Sequence, residues 1–191
     1  MLWANGPMAD DVKQGHAWMH EHPFNVGQHI AHNEMLDQCM TRNYDYHIRV
    51  DDDCWIAGKK WLSKLLRLFD KAATMKYGRL CLSMAIDGLD NPPPTVEKLW
   101  IGGTLVEHVE ILGGIFRMTP MGIMRYFRWD ERLPMGMGEA RQFSHFCGGL
   151  NVHLLRATNV HATHGESTRK QEENTAWAHE HAMLQSIPFG L

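Results

Sequence analysis

The chain has 191 residues, 44% of them hydrophobic, and a formal net charge of -3 from 19 Lys and Arg against 22 Asp and Glu. That size suits one globular domain with a sizeable core, and the slightly acidic balance gives no general electrostatic pull toward nucleic acid or an anionic membrane. No apolar run approaches the roughly 20 residues of a membrane span and the start lacks the pattern of a signal peptide, so the expectation is a soluble, cytoplasmic protein.

The four cysteines, Cys39, Cys54, Cys81 and Cys147, form no CxxC pair, so reduced thiols are expected rather than a disulfide framework. Thirteen histidines are more unusual, among them His16, His20 and His22 near the start and His161, His164, His179 and His181 near the end. His16 with His20, and His161 with His164, have the spacing of ligands on one helix face, so a histidine-rich zinc protein is one reading; no HExxH accompanies them.

YDYHIRV (44–50) predicts a strand that stops at Asp51, Asp52 and Asp53. Beyond it, Trp61, Leu62, Leu65, Leu66 and Phe69 recur at helical spacing and predict an apolar stripe, with lysines and Arg67 outside it. RLCLSMAI (79–86) predicts another strand, apolar enough to be buried. Strand, acidic turn, helix and strand make an α/β unit, and ligands of such sheets gather at the carboxyl ends of strands, where the aspartates stand. DGLDNPPPT (87–95) can continue neither a helix nor an inner strand and predicts a loop. TLVEHVEILGGIFRMTP (104–120) predicts one or two strands around Gly113 and Gly114, MGIMRYF a short helix, and GLNVHLLRATNVHATHG (149–165) two short extended segments ending at His164 and Gly165. Residues 168–191 suit a polar surface helix without chemistry, Arg169, Glu172 and Glu173 lying on a solvated face.

In extended backbone Asp51 and Asp53 point the same way, about 7 Å apart, with Asp52 on the other side. At an effective dielectric near ~20 the two charges repel by about 2 kcal/mol. A divalent cation reverses that sign. Mg²⁺ or Mn²⁺ takes hard oxygen ligands from one or two carboxylates and a substrate's phosphates, and it stabilises a departing diphosphate. The plainer alternative is a solvated turn in which Asp53 caps the following helix.

Around the triplet stand NVGQHIAHN (25–33), GGIFRMTP, FRWDERLPMGMGE and NVHATHG. In this order the segments resemble the family 2-like glycosyltransferases of the GT-A fold. That pattern runs Asn-x-Gly and a second Asn on a helix, an apolar strand, Asp-x-Asp, a Trp-Leu helix, a Gly-Gly acceptor strand, Phe-Asp-Glu, Gly-Glu-Asp, and a last strand ending in His. The matching positions are Asn25, Gly27 and Asn33; Asp51 to Asp53; Trp61 and Leu62; Gly113 and Gly114; Trp129, Asp130 and Glu131; Gly138 and Glu139; and His164.

The resemblance covers residues 1–167 and implies one α/β domain with a GT-A-like mixed sheet flanked by helices. It implies transfer of a sugar from a nucleoside diphosphate sugar to an acceptor hydroxyl, with inversion and with Mn²⁺ or Mg²⁺. Asn25, Gly27, Asn33, Asp51 and Asp52 then serve the nucleotide sugar, Asp53 and His164 the metal, and Glu139 the base that deprotonates the acceptor. Gly113, Gly114 and Asp130 fall on the acceptor side. Two departures stand out: Ala140 replaces the usual aspartate of Glu-Asp, and LWANGPMADD resembles the end of the family's second strand, leaving its first strand and base-binding acidic residue without a counterpart. A retaining transferase on the same scaffold, and a non-catalytic nucleotide- or glycan-binding module for which Ala140 argues, are the alternatives. The donor's base and sugar stay open, as do the acceptor (glycan, lipid carrier, protein or modified nucleic acid) and homo-oligomerisation.

Overall fold

The structure, a computed structural model, describes residues 2–4, 19–21, 26–51, 54–75, 77–89, 92–133 and 138–165. Near the start, strand β1 (Leu2–Ala4) pairs in parallel with β2 (Met19–Glu21) as a small sheet of its own. Helix α1 (Gln28–Thr41) follows Gly27, whose φ of 90° sets the entry. Such an angle is nearly free for glycine and strained for other residues.

The main sheet has seven strands. In chain order they are β3 (Tyr46–Val50), β4 (Cys54–Ile56), β5 (Leu80–Asp87), β6 (Thr95–Ile101), β7 (Thr104–Val109), β8 (Phe116–Pro120) and β9 (His153–His164). In space they run β3-β8-β5-β9-β7-β6, with β4 added beside β9. β8 is antiparallel to both β3 and β5, and β5 is parallel to β9, so β3, β5 and β9 all point the same way. The mixed α/β architecture agrees with the expectation of a single flanked sheet.

Helices cover both faces, which is why β5 reads as continuously apolar. Helix α2 (Trp61–Ala73) turns Leu65, Leu68, Phe69 and Ala72 onto Leu80, Leu82 and Met84 of β5 and Leu155 and Ala157 of β9. On the opposite face Leu36 and Cys39 of α1, Met121 and Met124 of α3 (Met121–Met124), and Phe143 and Cys147 of α4 (Glu139–Gly149) close over Cys81 and Leu154. Each fully buried Leu, Phe or Met stabilises by roughly 1.5–3 kcal/mol.

Three expectations need correction. Residues 149–165 do not form two extended segments: 149 ends α4, and β9 is one strand of 12 residues. Its apparent break is a register shift, since Met84 faces Ala157 but Ala85 faces His161. Leu62, placed on the buried stripe, is 38% exposed, while Leu68 takes the inward position. The backbone at Asp51 is not simply extended either, because the Cys54 amide donates to the Asp51 carbonyl at 3.2 Å, a turn-type bond spanning three residues. β4, α4 and the β6–β7 hairpin, closed at Gly102 and Gly103 (φ 56° and 82°), were not anticipated.

Candidate functional site

The parallel run of β3, β5 and β9 brings their carboxyl ends to one edge, together with the loop that enters β8. Asp51 leaves β3 there, and its amide donates to the Ile115 carbonyl at 2.9 Å, so it is fastened to the Gly113–Gly114 loop. Cys54 of β4 registers opposite His164, which sets the last residue of β9 level with the far side of the acidic turn. Just past the end of β5, a Cβ on Gly88 would stand 3.3 Å from the His164 carbonyl, so that turn also packs on the end of β9. Asp51, His164 and the Gly113–Gly114 loop thus share one edge. Asn25, Asp52 and Asp53 lie outside the described residues, as do His16, His20, His22, His179, His181 and the segment 168–191. Among the described residues no three His, Cys, Asp or Glu side chains are grouped so as to hold a metal.

Beside this edge, below Asp51, lies a buried ionic cluster that sequence reasoning missed. Glu139, the first residue of α4, is 5% exposed. Its Oε1 accepts from Arg117 Nη2 at 2.7 Å and its Oε2 pairs with Arg49 Nη1. Arg49 Nη2 also donates to Asp51 Oδ1 at 3.0 Å, so one guanidinium links the end of β3 to the start of α4. Arg117 is completely buried, its guanidinium carbon 3.9 Å from the Phe143 ring centre and 5.5 Å from that of Trp129. Two arginines and two carboxylates balance in charge, the condition under which buried ions persist.

The pairing decides what Glu139 can do. Burial alone pushes its carboxyl up, but the charges of Arg117 and then Arg49 outweigh that and hold it well below the usual glutamate range. A carboxylate so gripped has little affinity for a proton, which makes it a poor general base. Gly114 belongs to the same cluster: a Cβ there would stand 2.7 Å from Glu139 Oε2 and 3.2 Å from Arg49 Nη1. Its missing side chain makes room for the ion pair. At Gly113, by contrast, an added Cβ would meet nothing within 4 Å.

Two histidines complete the wall. His47 is 2% exposed, and burial, followed by the Arg117 charge, lowers its pKa to about 3. His32, stacked on Trp129 at 4.9 Å, is lowered to about 3 by burial and then by Arg49. Both imidazoles are therefore neutral at neutral pH. Arg117 Nε and Nη1, both His47 nitrogens and Trp129 Nε1 are buried without a hydrogen-bond partner among the described residues.

The remaining predicted residues serve the frame. Asn33 is 7% exposed; its Nδ2 donates to the Trp129 carbonyl and to Glu131 Oε1, each at 2.9 Å, and its Oδ1 accepts from the Trp129 amide at 3.0 Å. It staples α1 to the 129–131 segment. Gly27 starts α1. Asp130 accepts two bonds from the Arg132 guanidinium, at 2.8 and 2.6 Å, which hold its carboxyl below the ordinary range. A sequence signal for the missed arginines does exist. His47 and Arg49 alternate within an otherwise apolar strand, and Arg117 sits opposite Arg49 in register, so period-two polar residues mark a polar face inside the sheet.

A cavity of about 220 Å³ opens beside Gly113, lined by the carboxyl half of β5 and by residues of the 92–93 and 111–116 segments. No family model matches the chain, and no curated protein matches it.

Proposed function

We propose that this chain is a GT-A-type, family 2-like glycosyltransferase acting at the carboxyl edge of β3, β5 and β9. The observation that carries the reading is the meeting of Asp51, Gly113 and His164 on one edge, although they are separated by more than half the chain. Sheets of this class take their ligands at such edges. The donor would be a nucleoside diphosphate sugar and the acceptor a hydroxyl compound.

The chemistry of the donor set fits a hard divalent cation: carboxylates of the acidic triplet and an imidazole from His164 suit Mn²⁺ or Mg²⁺. Asp53 and His164 would hold it, with Asp51 turned to the nucleotide; when bound, the ion neutralises charge on the leaving diphosphate. Arg49 keeps the Asp51 carboxylate at the strand end. Gly113 leaves the backbone bare where an acceptor approaches. Glu139, bound by Arg117 and Arg49, supports the alternative in which the same edge binds nucleotide or glycan without turnover, and Ala140 supports it as well.

Thermal unfolding with Mn²⁺ plus UDP or GDP tests the shared part of both readings. A ligand held at a hundred times its Kd stabilises by about 2.7 kcal/mol, so the melting temperature should rise, and the rise should vanish in Asp53→Ala. No response to either nucleotide refutes the nucleotide site. Release of nucleoside diphosphate from a panel of donors then separates the enzyme from the binding module.

A further inference from the structure

The cavity beside Gly113 has a chemistry of its own. It is lined by Ser83 and Ala85 of β5, by Pro92, Pro93 and Ile115, and by the cross-strand pair Glu107 and Arg156. The polar side chains of this lining are already engaged. Ser83 Oγ donates to the Phe116 carbonyl at 2.9 Å. Arg156 donates through Nε to Glu107 Oε2 at 2.9 Å, through Nη1 to the Pro93 carbonyl and through Nη2 to Thr95 Oγ1, both at 3.2 Å. A polar or charged guest would be dehydrated on entry and would meet side chains whose hydrogen bonds are largely spent on one another. An apolar guest meets no such penalty and gains from the apolar remainder of the lining.

Size narrows the guest further. A protein cavity of about 150 Å³ lined by apolar side chains takes benzene, so 220 Å³ suits a ring with a small substituent. We propose that this cavity binds an uncharged, ring-sized apolar group. In the transferase reading that group is part of the acceptor, its hydroxyl directed past Gly113 toward the Asp51 edge; this assignment rests on that reading, and the binding itself does not.

The test is calorimetric titration and thermal unfolding of the full chain with toluene, p-cresol, benzoate and glucose, without nucleotide. Toluene and p-cresol should raise the melting temperature with dose, and benzoate and glucose should bind at least about tenfold more weakly. Ala85→Leu, which adds bulk to the lining, should weaken toluene about tenfold. Ile115→Ala, which removes bulk from the lining, should move the preference toward naphthalene and covers the case in which the leucine variant does not fold. Absence of a toluene response, benzoate binding as tight as toluene, or an unchanged ring preference in Ile115→Ala each overturns the proposal. A toluene response without a nucleotide response sinks the transferase reading alone, and the reverse sinks this inference alone.

Discussion

Glu139 is tied into the fold by ion pairs on both of its carboxylate oxygens. It is the counter-ion of two arginines, one of them completely buried. Removing one partner of a buried pair leaves an uncompensated charge and costs on the order of 3–5 kcal/mol. Glu139→Gln should therefore lower the stability read by urea unfolding by about 3 kcal/mol, and any loss of turnover in that variant has to be normalised to the folded fraction. The same neighbourhood sets an acid limit. His47 has a folded pKa of about 3 against an ordinary 6.5, so between those values the unfolded chain binds the extra proton. Stability is full above pH 6.5 and falls toward pH 3, by about 1.4 kcal/mol per pH unit for this group. Glu139, also depressed, adds its loss below the ordinary glutamate range, in the same direction. Urea midpoints taken from pH 7 to 4 should fall steeply in the native chain and less steeply in His47→Gln; equal slopes would remove His47 from the account.

At the scale of elements, burial separates leucines that the sequence treats alike. Leu65 is fully buried and Leu62 is 38% exposed, though both fit the apolar stripe of α2. Leu65→Ala should cost about 2–5 kcal/mol and Leu62→Ala no more than about 0.5, as denaturant unfolding would measure. This pair also shows where pattern reading stops. The apolar runs of β3 and β5 and the helical period of α2 are long enough to stand out, whereas β4 has three residues and offers no pattern to read. In α4 the inward Phe143, Ser144 and Cys147 are diluted by polar residues and by Gly148 and Gly149, so its helical spacing is easily overlooked. In β9 the polar Thr158 and Asn159 interrupt the apolar run and occupy the register shift against β5, so one strand reads as two segments.

For the whole molecule, the order of strands depends on pairings that no local pattern contains. β8 inserts between β3 and β5 although 28 residues and two further strands, β6 and β7, separate it from β5. The polar ends of two strands were legible, because Asp51 and His164 stop apolar runs, and these two do lie at one edge. Arg49 and Arg117 were not legible as a pair, since their partnership exists only once β3 lies against β8. The packing of Trp129 has a further, optical consequence. Among the described residues Trp129 is 2% exposed, walled by Phe127, Arg117 and two imidazoles, while Trp55 and Trp100 are 64% and 69% exposed. Indoles so differently surrounded emit at different wavelengths, and iodide in solution reaches Trp55 and Trp100 but not Trp129. Iodide should quench Trp55 and Trp100 and spare Trp129, so Trp129→Phe should lower the iodide-resistant blue emission, to which the half-buried Trp61 also contributes.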